Sequence, residues 1–449
     1  MSEVQSSCTG PQTRLLITCP YSGSTTDSPQ DNDSTVNAGK HFVIHVKEIG
    51  ESNLKKCDIF PTSHAYIAAR PVFLIRDPIR VFDSWKNSGR TDTQDLINCF
   101  TNLFRNLDQT PNNAAPFLVY EQVIRDPRNE IKRLCAWWGV PFSETTIGSK
   151  KQSDSSLSVA NHDNQSTIIE ASSFEVEIPY HNLLTNSEKD DIEERVGNLY
   201  LRCWNDDVHR LQAILAEKTW FGFDLDDTLH EFRRSSGKAM NEVFESISGR
   251  YDIPIPALKG EYSKILKEKT ADAFSDGKTS HDYRRERFTS LITHFSASTD
   301  NEFLAELLQL YETTLMQSLE LKSGALGLLS TIKKAGKKIV VITEGPQDAQ
   351  ERTIKGLGIG GYVDFLATTN RFRDTKINGL FPKVLNHLGI SSRDMVYIGD
   401  NEQRDMNPAM AEGIFSIHLA EAEHVSLNTS PPRINTLNKL RHILLSSIP

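Results

Sequence analysis

Short apolar runs alternate with helical patterns along the C-terminal half of the chain. Apolar runs at 221–223, 339–342 and 395–398 each predict a buried strand, and the second of these strands is predicted to start at Lys337. A polar residue follows each run, and a pattern with helical spacing comes next. This alternation predicts an α/β fold with a parallel sheet, in which ligands bind at the carboxyl ends of the strands.

A long helical insertion separates the first two of these strands. Thr228 and Thr343 lie 115 positions apart, which exceeds the length of one strand–helix unit. Helical patterns occupy 236–248, 259–270, 283–295 and 301–319. The insertion is therefore predicted to be all-helical.

The N-terminal half shows two further apolar runs, at 14–19 and 71–75, which also predict strands. A small, hydroxyl-rich loop follows the first run, and such a loop can direct N–H groups and hydroxyls at a phosphate. Its candidate residues are Ser22, Gly23, Ser24, Thr25 and Thr26. Arg76 leaves the second run and Ser84 follows in a helix predicted to start near Pro78, so both could bind one phosphate. An ordinary turn and a surface Arg–Asp pair explain the same residues.

Polar, turn-forming stretches suggest how the chain is divided. Residues 148–166 are rich in Ser, Asn and Asp and predict a flexible loop. The predicted domains are 1–207 and 218–449, joined by a linker at 208–217, and length alone favours more than one domain.

Composition narrows the class of protein. A net charge of -9 argues against broad binding to nucleic acid or anionic membranes, and no apolar run approaches the ~20 residues of a membrane span. The six cysteines are scattered, which favours reduced thiols. We therefore expect a cytoplasmic protein with no nucleic-acid or membrane partner and an oligomeric state that the sequence does not indicate.

Acidic residues cluster where the first C-terminal strand ends. Asp224, Asp226 and Asp227 occupy three of four positions and precede Thr228. Burying several carboxylates together is unfavourable unless a cation or a proton compensates them. The cluster therefore predicts a metal site. The ends of later elements add further polar candidates, namely Thr343, Lys376, Asp400 and Asp405.

These residues, in this order, resemble the motifs of the haloacid dehalogenase superfamily. D-x-D-x-T is matched by Asp224–Thr228, a strand ending in Thr by Thr343, the motif lysine by Lys376, and G-D-x-x-x-x-D by 399–405. Lys383 is the rival for the lysine. The resemblance implies a Rossmann-like core with an inserted helical cap at about 233–318.

The resemblance also implies roles for the matched residues. Asp224 is expected to attack phosphorus, Asp226 to act as acid and base, and Thr343 and Lys376 to bind the phosphoryl group. Mg²⁺ is expected to bind Asp224, Asp400, the backbone carbonyl of Asp226, and Asp405 as an auxiliary acid. The second acid of the first motif favours phosphoester hydrolysis over carbon–halogen hydrolysis, because an alkoxide leaving group needs a proton.

The N-terminal half resembles the P-loop sulfotransferases. The loop at 18–26 fits their 5′-phosphosulfate loop, and Arg76 with Ser84 fits their 3′-phosphate pair, which implies phosphoadenosine phosphosulfate as a ligand. Tyr21 stands where the family has a basic residue, and a polar, turn-rich segment follows Thr26 where the family has a helix.

The expected protein has two α/β domains, each with a parallel sheet, and hydrolyses a small phosphomonoester with Mg²⁺. The N-terminal domain is either a second enzyme, which transfers sulfate, or a non-catalytic docking module. No residue pattern identifies the substrate.

Overall fold

The computed structural model describes residues 18–21, 40–43, 72–108, 117–139, 141–142, 180–269, 274, 276–297 and 300–445. Contacts divide the chain into two units, Met1–Leu183 and Leu184–Pro449. The predicted flexible loop at 148–166 lies outside the described residues.

The described part of the first unit contains two strand pairs. Strands β1 (Thr18–Tyr21) and β2 (Lys40–Val43) pair antiparallel, whereas β3 (Phe73–Ile75) and β4 (Phe117–Val119) pair parallel. A parallel sheet was predicted throughout, and the first pair differs from that prediction. A parallel connection needs a crossover, usually a helix, and the sequence at 27–34 is polar and turn-rich instead.

Four helices accompany these strands. Their bounds are α1 Pro78–Asn87, α2 Thr93–Asp108, α3 Tyr120–Arg125 and α4 Pro127–Trp138. Helix α1 begins where the sequence predicted, because Pro78 occupies its first turn and the Asp77 side chain accepts a hydrogen bond from the Ile79 N–H at 2.9 Å.

The second unit opens with a run of short helices. These are α5 Asn186–Ile192, a π-helix at Glu193–Gly197, α6 Asn198–Leu201, a 3-10 turn at Arg202–Trp204 and α7 Asn205–Glu217. Thr185 and Glu188 form a capping box at the start of α5. The segment predicted as a linker, 208–217, lies in α7, where Leu211 and Leu215 are buried. Its apolar residues at helical spacing explain why it folds.

A six-stranded parallel sheet forms the core of this unit. Its strands are β5 Trp220–Phe223, β6 Lys338–Thr343, β7 Phe365–Thr368, β8 Met395–Gly399, β9 Phe415–Leu419 and β10 Arg433–Ile434. The order across the sheet is β10-β9-β8-β5-β6-β7, so β5 lies between β6 and β8. The predicted parallel α/β core is confirmed.

A helical cap is inserted between β5 and β6. Its helices are α8 Phe232–Tyr251, α9 Ile255–Lys269, α10 Ser280–His294 and α11 Asn301–Gln317. They match the four predicted helices to within four residues at each end. Their apolar faces form a separate hydrophobic cluster that includes Val243, Phe288 and Leu307.

The remaining helices follow the later strands. They are α12 Ala325–Lys334, α13 Gln347–Gly356, α14 Thr369–Phe372, α15 Leu380–Leu388, α16 Asn407–Ala411 and α17 Leu437–Leu445. A 3-10 turn spans Ser392–Asp394, and a π-helix spans Glu402–Met406. Within the described ranges, no helix has the length and apolar character that crossing a membrane requires.

The two linkers of the cap run side by side. The Glu231 N–H donates to the Glu320 carbonyl at 2.9 Å, and the Lys322 N–H donates to the Leu229 carbonyl at 3.0 Å. The Asn186 side-chain amide lies 3.2 Å from Glu231 Oε1 and 2.9 Å from Glu320 Oε1. Helix α5 therefore braces both linkers.

We predict that residues 184–217 are required for a stable C-terminal unit. Removing them takes away the buried side chains of Tyr200, Trp204, Leu211 and Leu215, each worth about 2–5 kcal/mol. Fragment 184–449 should unfold in one thermal transition, followed by circular dichroism. Fragment 218–449 should melt at least about 10 °C lower or lose cooperativity. Equal melting temperatures would show that these helices are dispensable.

Candidate active site

The carboxyl edge of the sheet brings three predicted residues together. Asp224 directly follows β5, Thr343 ends β6, and Asp400 follows Gly399 at the end of β8. The Asp224 N–H donates to the Ile398 carbonyl at 2.9 Å, which ties the chain after β5 to β8. Adjacent parallel strands explain how residues far apart in sequence meet here.

Lys376 lies between two buried carboxylates. Its Nζ is 2.5 Å from Asp224 Oδ1 and 2.5 Å from Asp405 Oδ1. The Lys376 N–H donates to Glu344 Oε1 at 2.9 Å, which anchors the loop that carries it. Lys383, the rival in sequence, is half-exposed and pairs with Asp374. The geometry therefore favours Lys376 as the motif lysine.

The side chains of Asp224, Asp400 and Asp405 form an acidic cluster. One oxygen from each lies within 4.8 Å of the others. Three carboxylates and the Lys376 ammonium leave a formal charge of −2, which a divalent cation would balance. Oxygen donors are the ligands that Mg²⁺ prefers. The cluster therefore fits a magnesium ion.

Asp405 is the most constrained acid of this cluster. Besides Lys376, the Tyr397 hydroxyl donates to its Oδ1 at 3.0 Å, and the Asn401 N–H donates to its Oδ2 at 3.1 Å. These donors occupy most of the lone pairs of the carboxylate. The arrangement suits an acid that holds Lys376 in place more than one that binds a metal directly.

Burial raises the pKa of two acids in the cluster. It raises the pKa of Asp224 well above its usual range, with Asp405 and Asp226 adding to the effect and Lys376 opposing it. Burial and the charge of Asp405 raise the pKa of Asp400 to about 6. Although burial acts in the opposite direction, Asp224 and Asp405 raise the pKa of Lys376. Lys376 therefore stays positively charged. Ionising the neighbouring carboxyl groups together costs free energy, because they are buried and close to one another.

The side chain of Asp226 takes part in a different set of contacts. Its Oδ1 lies 2.9 Å from His230 Nε2, and its Oδ2 lies 3.4 Å from Gln350 Nε2. About a quarter of the side chain is exposed, which leaves it accessible to a ligand. Its predicted metal contact, through the backbone carbonyl, stays a prediction.

The hydroxyl of Thr343 is buried at the end of β6. The residue is 1% exposed, and its Oγ1 has no hydrogen bond to any described residue. Leaving a buried hydroxyl unpaired costs about 1–3 kcal/mol. An oxygen of a bound ligand would satisfy it.

Asp227 is separated from the acidic cluster by its backbone conformation. Its φ is +61°, and its carboxylate accepts bonds from the Arg233 N–H at 3.0 Å and from Arg233 Nε at 3.1 Å. The Arg233 guanidinium also reaches Asp400 Oδ2 at 3.5 Å. Asp227 therefore helps to fix the start of the cap.

Sequence reasoning missed several residues that support this site, among them Glu344, Tyr397, Asn401, Gln350 and, as a partner of Asp226, His230. His230 lies four positions after Asp226, and this proximity is the sequence signal that points to it. Glu344 and Gln350 carry no sequence pattern that separates them from ordinary surface residues, because their contacts depend on the tertiary fold.

The N-terminal candidate site is described only in part. Residues Ser22–Thr26 lie outside the described residues. Arg76 follows β3, and its guanidinium carbon lies 4.9 Å from the ring centroid of Tyr120. Ser84 lies in α1. Their role as phosphate ligands stays a prediction.

Comparison with known proteins agrees with the geometry of the C-terminal half. A family model of the haloacid dehalogenase-like hydrolases matches residues 222–419. Glyceraldehyde 3-phosphate phosphatase of Methanocaldococcus jannaschii is 24% identical over 224 residues, which are 49% of this chain and 93% of that protein. N-acylneuraminate-9-phosphatase of Rattus norvegicus is 22% identical over 235 residues, which are 50% of this chain and 89% of that protein.

Solved structures also resemble this half. The HAD-hydrolase YfnB from Bacillus subtilis, bound to magnesium, is 23% identical with a TM-score of 0.41, covering 51% of this chain and 99% of that one. The family match over residues 222–419 and the named phosphatase relatives together support a haloacid dehalogenase-like hydrolase domain of the phosphatase type in the C-terminal half of this chain.

Proposed function

We propose that the C-terminal half hydrolyses a small phosphomonoester through an aspartyl-phosphate on Asp224, with Mg²⁺ as cofactor. The observation that carries this proposal is the acidic cluster around one buried lysine, in which Lys376 Nζ lies 2.5 Å from Asp224 Oδ1. The relatives named above are phosphatases of glyceraldehyde 3-phosphate and N-acylneuraminate 9-phosphate, both small phosphate monoesters.

In the first step the Asp224 carboxylate attacks phosphorus. The P–O bond to the leaving group breaks, and protonated Asp226 gives its proton to the departing oxygen. The Thr343 hydroxyl donates to a phosphoryl oxygen, and Lys376 neutralises charge on Asp224 and on the phosphoryl group.

In the second step water attacks the phosphorus of the aspartyl-phosphate. The Asp226 carboxylate takes a proton from that water, and the bond from phosphorus to the Asp224 oxygen breaks. Inorganic phosphate leaves, Asp224 returns as a carboxylate, and Asp226 is again protonated. The same acid thus serves both steps with a balanced proton count.

Asp224 and Asp400, with the backbone carbonyl of Asp226, are the groups that would hold Mg²⁺. When bound, the ion offsets the repulsion between the Asp224 carboxylate and the phosphate dianion. Asp405 would keep Lys376 beside Asp224.

We predict that Asp224→Asn abolishes Mg²⁺-dependent phosphate release from p-nitrophenyl phosphate, because a carboxamide cannot form the acyl phosphate. The loss should exceed about 1,000-fold. Asp227→Asn is the matched control, since Asn tolerates a positive φ and its side-chain oxygen can still accept from the Arg233 N–H. A rate of phosphate release by Asp224→Asn equal to that of the control would contradict the mechanism.

A second prediction separates activity from stability at Thr343. Thr343→Val keeps the shape of the side chain and removes a hydroxyl that has no hydrogen-bond partner among the described residues. The variant should be as stable as the wild type or up to about 1 kcal/mol more stable, yet its kcat should fall about 10-fold or more. Thr343→Ser should retain most activity. Unchanged kcat in Thr343→Val, with stability measured in urea, would exclude a phosphoryl contact.

A further inference from the structure

We propose that His230 and Gln350 are positioning residues that hold the Asp226 carboxyl group in place for proton transfer. This inference rests on the proposed function and adds two residues to it. Both residues are buried, and each contacts a different oxygen of Asp226.

His230 holds Asp226 Oδ1. The imidazole is fully buried, and its Nε2 lies 2.9 Å from that oxygen. A carboxylate oxygen accepts, so Nε2 carries the hydrogen. Nδ1 is buried and has no hydrogen-bond partner among the described residues. With Oδ1 engaged by this donor, Oδ2 is the oxygen left to carry the transferable proton.

The backbone around His230 fixes its position. The Asp227 N–H donates to the His230 carbonyl at 2.9 Å, which closes the turn that contains both residues. His230 also forms a β-bridge with Leu321 in the returning linker of the cap. The histidine therefore lies where both cap linkers meet the acid.

Gln350 lies beside Asp226 Oδ2 and can serve both of its protonation states. Its Nε2 is 3.4 Å from Oδ2 and can donate to the ionised carboxylate. Its Oε1 is buried without a partner in the described part of the chain. Turning the amide by about 180° brings Oε1 to face Oδ2 as an acceptor for the protonated acid.

Gly345 provides the space that Gln350 occupies. A Cβ at position 345 would collide with Gln350 Nε2, so a larger residue would displace the amide. The helix that carries Gln350 is also joined to the cap: Ser280 Oγ donates to Asp348 Oδ2 at 2.7 Å and accepts from Arg352 Nη2 at 2.7 Å. His230 and Gln350, which both contact the Asp226 carboxyl group, thus lie where the cap contacts the core.

The test compares substrates whose leaving groups differ in their need for a proton. 2,4-Dinitrophenolate leaves without protonation, whereas the alkoxide of glycerol 2-phosphate requires it. The measured quantity is kcat/KM, which reports the step in which the leaving group departs. For His230→Asn and Gln350→Leu we expect kcat/KM to fall about 10- to 100-fold on glycerol 2-phosphate and less than about 3-fold on 2,4-dinitrophenyl phosphate.

Two further variants sharpen the test. Gly345→Ala, which displaces Gln350 without touching Asp226 chemically, should show the same selective loss. Gln347→Leu replaces a glutamine on the same helix that contacts Thr368 and Glu351, and it should change neither substrate's kcat/KM by more than about 3-fold. Retained hydrolysis of the dinitrophenyl ester shows that each variant is folded.

The outcomes distinguish this inference from the function on which it depends. Equal loss on both substrates, or no loss on either, would overturn the positioning role while leaving the phosphatase intact. Wild-type protein that releases phosphate from neither substrate would overturn the proposed function and this inference with it.

Discussion

The C-terminal site depends on the ion pairs that the buried ammonium group of Lys376 forms with two carboxylates. Lys376 Nζ lies 2.5 Å from Asp224 and from Asp405, and both carboxylates are almost fully buried. Removing one partner from such a group leaves uncompensated buried charge, which costs about 3–5 kcal/mol. The lysine offsets one of three clustered acids, and the remaining charge accounts for the affinity that we expect for a divalent cation. Hydrogen bonds then fix both groups. The Lys376 N–H donates to Glu344, and the Tyr397 hydroxyl and the Asn401 N–H donate to Asp405.

Much of the core could be predicted because its signals are local. Continuous apolar runs end at Asp224, Thr343 and Asp400, and parallel strands place such ends at one edge of the sheet. The cap helices followed from apolar residues at helical spacing. The sequence alone does not distinguish Lys376 from Lys383, because both lysines lie near the same helix. The tertiary fold places Lys376 beside Asp224 and Lys383 beside Asp374.

Other features depend on contacts that no local pattern encodes. Gln350 is one polar residue in an ordinary helix until folding places it against Gly345 and Asp226. Helix α7 covers the segment predicted as a linker, because Leu211 and Leu215 bury against the unit rather than facing water. The antiparallel pairing of β1 with β2 also differed from expectation, since pairing direction depends on the connection and not on the apolar runs themselves.

The central claim is that Asp224 becomes phosphorylated during turnover, and chemical trapping tests it most directly. The protein, with Mg²⁺ and 2,4-dinitrophenyl phosphate, is quenched in acid during turnover and treated with borohydride, which reduces an acyl phosphate to an alcohol. Peptide mass spectrometry then locates the resulting homoserine. The account predicts homoserine at position 224 and unmodified aspartate at 226. Phosphate release with homoserine at 226, or with no reduced aspartate, would contradict it.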